Sequence, residues 1–151
     1  LQSTAGLRRI GLDAFITGPR QTARRADELL TAIHVPATAL RGDSHFLKLG
    51  ARRYLVISIA MTAARLRIEN GVVAEAALAI GACGPVATRL SEAETAITGH
   101  PLDPARITDD MVTAAIAPID DMRADAGYRR HAAAEMARRT VAALTQKEAA
   151  A

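Results

Sequence analysis

ISIAMTAARLRIENGVVAEAALAIGA, residues 57–82, is the stretch that decides the fold. It consists of two long apolar runs that meet at Asn70-Gly71. An Asn-Gly pair between alternating runs is a strong hairpin signal, because both residue types tolerate the positive φ that a tight turn demands. A two-residue turn would set Glu69 opposite Val72 and mix charge with aliphatic side chains on both faces. A loop one residue longer, with Gly71 left-handed after Glu69 and Asn70, sorts the faces instead. In that register Ala60, Thr62, Ala64, Leu66 and Ile68 share a side with Val72, Ala74, Ala76, Leu78 and Ile80, while Arg65 lies opposite Glu75. The reading predicts a one-sided antiparallel sheet with a buried aliphatic face.

Composition narrows what can cover that face. Half of the 151 residues are apolar, yet there are only two Phe, two Tyr and no Trp, so the core must be built from Ala, Leu, Ile and Val. Small side chains suit helices packed closely on a sheet. The 19 basic residues exceed the 16 acidic ones by three and are dispersed in pairs. Without a basic stripe or an aromatic platform, this charge reads as a solvated surface and argues against a nucleic-acid partner. Cys83 is the single cysteine, which excludes an internal disulfide and a cysteine-only metal cage. No apolar run reaches membrane-spanning length without a charge, and no signal-like start is present, so the expectation is no membrane insertion and a cytoplasmic location. The chain begins at Leu1 with no initiator Met and reads as a piece of something longer.

Upstream of the hairpin, LRRIGLDAFI (7–16) followed by Gly18-Pro19 reads as a strand and a turn. ADELLTAIHVP (26–36) reads as an extended segment with Leu30, Ala32 and His34 on one side and Thr31, Ile33 and Val35 on the other, ended by Pro36. FLKLGARR (46–53) is a short apolar stretch, and the hairpin segment begins near Tyr54. Downstream, Ser91 followed by Glu94 predicts a capped short helix to about Thr98, with Gly99 as its stop. Thr108 caps a second helix, with Asp109 and Asp110 in its first turn and Met111, Val112, Ala115 and Ile116 as its stripe, closed by Pro118. The longest helix begins near Asp125 or Ala126 and runs to about Leu144, with Ala133, Met136, Ala137, Thr140, Val141 and Leu144 at helical spacing and its arginines largely on other faces. An Ala-rich tail covers 146–151.

No constellation of residues announces chemistry. His34, His45, His100 and His131 show no metal-ligand spacing and read as surface or packing residues, so no metal ligand and no catalytic residue is assigned. Cys83, between Ala82 and Gly84, reads as a small buried hydrophobe. Asp120 and Asp121 read as capping and ion-pairing groups ahead of the last helix. Phosphate-cradling glycine motifs are absent. Lys48 is the more interesting charge. A lone ammonium inside FLKLG can approach an anionic or electron-rich group, and equally its stem can lie along apolar surface.

PIDDMRADAGYRR (118–130) resembles a signature of the flavin-binding, or medium, subunits of molybdenum hydroxylases, the carbon monoxide dehydrogenase and xanthine dehydrogenase group. DAFITGPRQT, DELLTAIHVP, FLKLGARR, AIGACGP at 79–85, and Arg89 followed by Glu94 and Gly99 are similar to further landmarks of the family in the same order. The resemblance covers about 7–144. It implies an α+β C-terminal domain, a three-stranded antiparallel sheet with the central hairpin 57–82 packed against a three-helix bundle, over residues 46–145. It further implies that 1–36 is the terminal part of an incomplete FAD-binding domain, with 37–45 a linker and 146–151 a tail.

By position, Lys48 is similar to the family lysine near the flavin, and Leu30, six residues before Pro36, to the apolar residue packed near its ring. A cation there would favour the electron-rich reduced flavin. Val56 stands where many relatives carry Asp, which removes any hydrogen bond made by that carboxylate. Tyr128 and Arg129 match the signature in a structural role, pinning the last helix. The function implied is that of the C-terminal portion of a flavoprotein subunit in a molybdenum-containing hydroxylase, passing electrons from iron–sulfur clusters to FAD and on to an acceptor. The implied partners are a molybdopterin-binding large subunit and an iron–sulfur small subunit. The parent would be an oxidoreductase subunit, and the piece alone is expected to be catalytically silent and unable to hold FAD tightly. The rival reading is a non-catalytic protein–protein interaction module.

Overall fold

A computed structural model describes residues 1–148, in two compact units, the first Leu1–Leu40 and the second beginning at Arg41. In the first unit, strands β1 (Gln2–Ser3) and β2 (Gly6–Leu7) form one antiparallel ribbon. A short helix α1 (Leu12–Phe15) leads into a second ribbon, β3 (Ile16–Gly18) with β4 (Gln21–Thr22). The single strand expected between Leu7 and Ile16 is therefore replaced by a helical turn between two ribbons. In the extended segment 26–36 strand-like pairing is made at Leu29, whose amide and carbonyl exchange hydrogen bonds with Gln2 at 2.8 and 2.9 Å. Beyond it, the predicted alternation sorts nothing, since Leu30, Ile33 and Val35 are all exposed. A 3-10 turn at Ala37–Leu40 follows Pro36.

What organises this unit is a polar clasp. The Arg8 guanidinium donates to both oxygens of Glu28, each at 2.7 Å, and to the carbonyl of Ala23. The amide of Arg25 donates to the same carboxylate, and Arg24 donates to the carbonyl of Glu28. A carboxylate that is hidden from water must be satisfied in this way or it would take up a proton.

The second unit is built on a four-stranded antiparallel sheet in the order β5 (Asp43–Leu49), β6 (Ala60–Glu69), β7 (Val72–Gly81) and β8 (Thr88–Arg89). The hairpin forms where expected, but on the tight two-residue turn, with Glu69 opposite Val72. Both central residues adopt positive φ, 52° at Asn70 and 74° at Gly71. The charge conflict that disfavoured this turn is removed by a bulge, because the register shifts between Arg67 and Ile68, and Arg67 pairs with Glu75 while Ile68 pairs with Val73. Val73 thereby turns inward in place of Val72, and Arg65 lies opposite Ala77. The buried face still runs through Ala60, Thr62, Ala64 and Leu66 to Leu78 and Ile80. On the open face Arg65 and Arg67 both reach Glu75, whose carboxyl is held below its ordinary value chiefly by the Arg67 hydrogen bond.

Three further helices close the core: α2 (Ser91–Ile97), α3 (Asp109–Ala115) and α4 (Ala126–Glu148). The antiparallel α+β class holds. The finer expectation of three strands and a three-helix bundle gives way to four strands in the sheet, with α4 lying across β5 and β6, α2 on β7, and α3 against α4. The extra strand β8 is two residues long, too short to leave a periodic signal, and is extended by a bond from the Leu90 amide to the Leu78 carbonyl. Ala93, Ile97, Val112, Ala133, Ala134, Ala137 and Val141 meet the sheet in one aliphatic cluster. Each fully buried Leu, Ile or Val here contributes about 1.5–3 kcal/mol relative to exposure. Ala-rich α4 can approach the sheet closely, and where it does, Thr62 and Thr140 share a hydrogen bond, with Thr140 also donating to the Met136 carbonyl.

The helix caps follow the sequence in part. Thr108 caps α3 through the Met111 amide. Gly99, at φ 81°, ends α2 as expected, but Ser91 makes no side-chain cap, and Glu94 does not reach back. Glu94 instead accepts the Leu78 amide at 2.8 Å and both Arg89 donors, satisfying a strand amide beyond the end of β8. Helix α4 continues past Leu144 to Glu148, through the start of the expected tail, and 149–151 lie outside the described residues.

Candidate functional site

Lys48 sits on β5 and, by strand alternation, faces the side of the sheet opposite the helices, as does Phe46, while His45, Leu47 and Leu49 turn the other way. Cross-strand, Lys48 lies beside Met61 and Phe46 beside Ala63, with Ala79 opposite Ala63 and Gly81 opposite Met61. The surface beneath these side chains is therefore low: alanine, glycine and one thioether, with Phe46 more than half exposed.

The Lys48 amine donates to the carbonyl of Val56 at 2.6 Å. That carbonyl belongs to the loop 50–58, which joins β5 to β6 and is largely exposed. The loop closes where the Ile59 amide donates to the Leu49 carbonyl at 2.8 Å. Gly50 lets the loop close tightly there, since a Cβ on it would fall 2.7 Å from Cγ1 of Val56 and force that side chain to shift. Residue 56 thus meets Lys48 through its backbone while its valine side chain packs over Gly50. Within the loop Arg52 donates to the Leu55 carbonyl, and Arg53 stacks on Tyr54 at 5.3 Å. Leu55 adopts φ 50°, a left-handed conformation costly for a branched residue, and is 92% exposed.

Leu30 belongs to the first unit. It is half exposed and follows Leu29, the residue bridged to Gln2. Lys48 and Leu30 therefore both keep accessible side chains, each within its own unit.

The signature around 118–130 is a structural clamp. Asp120 accepts the Ala126 amide and Asp125 the Tyr128 amide, so both serve the start of α4. Asp121 accepts the amides of Arg123 and Ala124 and pairs with Arg123 and Arg129. Those backbone and guanidinium donors hold its carboxyl well below the usual range, the Arg123 amide foremost. Arg129 bears out the pinning role but not the outward direction expected of the helix arginines. It is buried, and its guanidinium donates to the Ile59 carbonyl at 2.6 Å, the Ala82 carbonyl at 2.9 Å and Asp121 at 2.8 Å. Ala82 is itself left-handed at φ 64°, so the bond to its carbonyl supports a strained corner.

Cys83, next to that corner, is buried, and burial pushes its thiol above the ordinary value against the opposing effect of the Arg129 charge. A raised thiol at a packed position fits a small hydrophobe and not a nucleophile. Among the described residues no group of three or more His, Cys, Asp or Glu is placed to hold a metal ion, and no helix is long and apolar enough to cross a membrane. Sequence reasoning missed the Arg8–Glu28 clasp and the Glu94 link to β7. Their partners are separated along the chain, and although Glu28 lies in DELLTAIHVP and Glu94 follows Arg89 among the landmarks, neither stretch shows which distant group its carboxylate meets.

The family described as CO dehydrogenase flavoprotein C-terminal domain matches residues 45–144. The xanthine dehydrogenase FAD-binding subunit of Escherichia coli O157:H7 is 30% identical over 145 residues, covering 93% of this chain and 49% of the relative. The nicotine 6-hydroxylase medium subunit of Paenarthrobacter nicotinovorans is 28% identical over 144 residues, covering 93% and 50%. Among solved structures, reconstituted CO dehydrogenase from Oligotropha carboxidovorans superposes with a TM-score of 0.81 at 28% identity, over 91% of this chain and 49% of that one. Quinoline 2-oxidoreductase from Pseudomonas putida 86 shares the fold, with a TM-score of 0.82 at 23% identity over 96% of this chain and 50% of that one. The chain spans about half the length of the curated relatives it matches. With a sheet, helices and buried signature clamp in the matched region, this chain belongs to the CO dehydrogenase flavoprotein C-terminal domain family.

Proposed function

We propose that this chain forms the C-terminal portion of the flavoprotein subunit of a molybdenum-containing hydroxylase, the subunit that passes electrons from iron–sulfur clusters to FAD and on to an acceptor. In that reading the partners are a molybdopterin-binding large subunit and an iron–sulfur small subunit, the setting is cytoplasmic, residues 1–36 complete an FAD-binding domain, 37–45 link, and 46–145 form the C-terminal domain. The observation that carries it is an exposed lysine on the helix-free face of the family's sheet, beside Phe46 and above a floor of Ala63, Ala79 and Gly81.

That donor set fits one side of a flavin ring. A flat, low apolar surface accepts an aromatic system, and a cation at its margin stabilises negative charge gathered on reduction. FAD, when bound, supplies the exchange between two-electron and one-electron carriers. Lys48 would hold the cation in place through its bond to the Val56 carbonyl, and Leu30 would offer an apolar contact from the terminal part of the FAD-binding domain. The pyrophosphate would be held by glycine-rich loops that this sequence lacks, so the chain by itself is expected to bind FAD weakly and to be catalytically silent.

A second reading, a protein–protein interaction module, draws on the fully exposed Met122 at the tip of the Asp121 turn. Absorbance of the purified complete subunit separates the two. A yellow protein with the flavin bands supports the first reading, and colourless complete subunit overturns it.

A further inference from the structure

We infer that Arg129, in the last helix, is a positioning residue for the Lys48 amine. The path between them is short and made of hydrogen bonds. Lys48 is held by the carbonyl of Val56, and Val56 belongs to a loop whose downstream base is Ile59. Ile59 is held from both sides: its amide donates to the Leu49 carbonyl, next to Lys48, and its carbonyl accepts from the Arg129 guanidinium. The contacts made between these points are local to the loop itself: Arg52 to the Leu55 carbonyl, Arg53 on Tyr54, and Val56 over Gly50. Residues 51–55 and 57 are exposed, and Leu55 sits in the left-handed region. A loop so placed, with few buried apolar contacts, takes its conformation from the fixity of its ends.

The guanidinium is suited to that task. It is buried, it presents several donors in one rigid plane, and Asp121, itself fixed by two amides of its own turn, orients it. Both ends of the loop sit on the β5–β6 ladder, and the downstream end is held in addition by a side chain reaching across from α4. Releasing Arg129 leaves the Ile59 carbonyl with only the long contact from the Cys83 thiol, loosens the loop and takes the Val56 acceptor away from the exposed Lys48 amine. This deepens the flavin reading, which concerns what Lys48 faces, but its test involves no flavin, so either can fail alone.

The sequence contains two lysines, Lys48 and Lys147, which makes the test direct. The whole chain is treated with a limiting acylating ester, and modification of each lysine is read by peptide mass spectrometry, with Lys147 as the internal reference. In Arg129→Gln the Lys48 to Lys147 ratio should rise about two- to tenfold, the range over which one intramolecular hydrogen bond shifts a local opening equilibrium. Arg138→Gln is the control. Arg138 ties α4 to the Ile107 carbonyl and to Asp109, away from the loop, so its loss weakens helix packing without touching Ile59. Arg129→Lys, which keeps the charge and reaches fewer acceptors, should give an intermediate ratio and serves where the glutamine variant does not fold. An unchanged ratio in the Arg129 variants, or an equal rise in Arg138→Gln, overturns the assignment.

Discussion

In residues 1–40 the best-hidden large side chain is the charged Glu28, ahead of Leu1, while Leu7, Leu12, Leu29, Leu30, Ile33, Val35 and Leu40 stand exposed. Among the described side chains from residue 41 onward, the large apolar ones that are fully hidden are Leu66, Val73, Leu78, Ile80, Leu90, Ile97, Ile107, Val112 and Val141, and the charges lie mostly outside. The first unit is held by directional bonds to one carboxylate, and the second by burial of apolar area. Directional bonds fix geometry but contribute little net free energy each, because water competes for the same groups, whereas apolar burial accumulates. The first unit therefore has a defined shape with little stability of its own, and the second has both.

The sharpest way to break this contrast is at the charge that the second unit does bury. Arg129→Met takes the guanidinium away from Asp121 and from the carbonyls of Ile59 and Ala82, and breaking a buried pair from one side should cost about 3–5 kcal/mol in urea unfolding. Next is Leu66→Ala, expected to cost about 2–5 kcal/mol through lost burial and a residual cavity, set against Leu29→Ala in the first unit at about 0.5 kcal/mol or less. Equal losses at Leu66 and Leu29 would mean that the two units are not built differently. Gly71→Ala probes the tight turn and should cost about 1 kcal/mol, because alanine at φ 74° is strained.

The smallest effect on global unfolding is expected at Glu28, whose carboxyl is lowered from 4.5 to about 2 by the Arg8 hydrogen bond and then by the Arg25 amide. A depressed folded value means that the stabilisation is present above 4.5 and is lost as pH falls from 4.5 through about 2. A carboxyl NMR titration should place the Glu28 midpoint near 2, with the Gln2–Leu29 hydrogen bonds weakening over the same window, while a midpoint at 4.5 would contradict the clasp.

The same contrast explains what could be read from residue order. The β6–β7 hairpin, the positions of α2, α3 and α4, and the Thr108 cap were legible because apolar periodicity and cap chemistry are local signals. The register at the turn was misread by one residue, since the bulge that reconciles Asn70-Gly71 with the buried face leaves no mark of its own. Strand β8 was too short to show a period. Helical spacing sets Arg129, with the other arginines of α4, off the apolar stripe, and it tells which residues share a face but not that a guanidinium can be buried when two carbonyls and a carboxylate await it. The first unit was the least legible, for a bond between Arg8 and Glu28 has no period at all. At the candidate site the sequence singled out Lys48, and what it could not provide was the acceptor that holds the amine, a backbone carbonyl eight residues on.

The claim on which the functional account rests is that Lys48 places its positive charge beside a flavin in the complete subunit, and the reduction potential of the bound FAD measures that directly. Removing a neighbouring cation destabilises the reduced, electron-rich form, so Lys48→Met should lower the potential by about 30 mV or more, the equivalent of a tenfold change for a two-electron couple. A potential that stays unchanged or rises in Lys48→Met, in protein that still binds FAD, would contradict it.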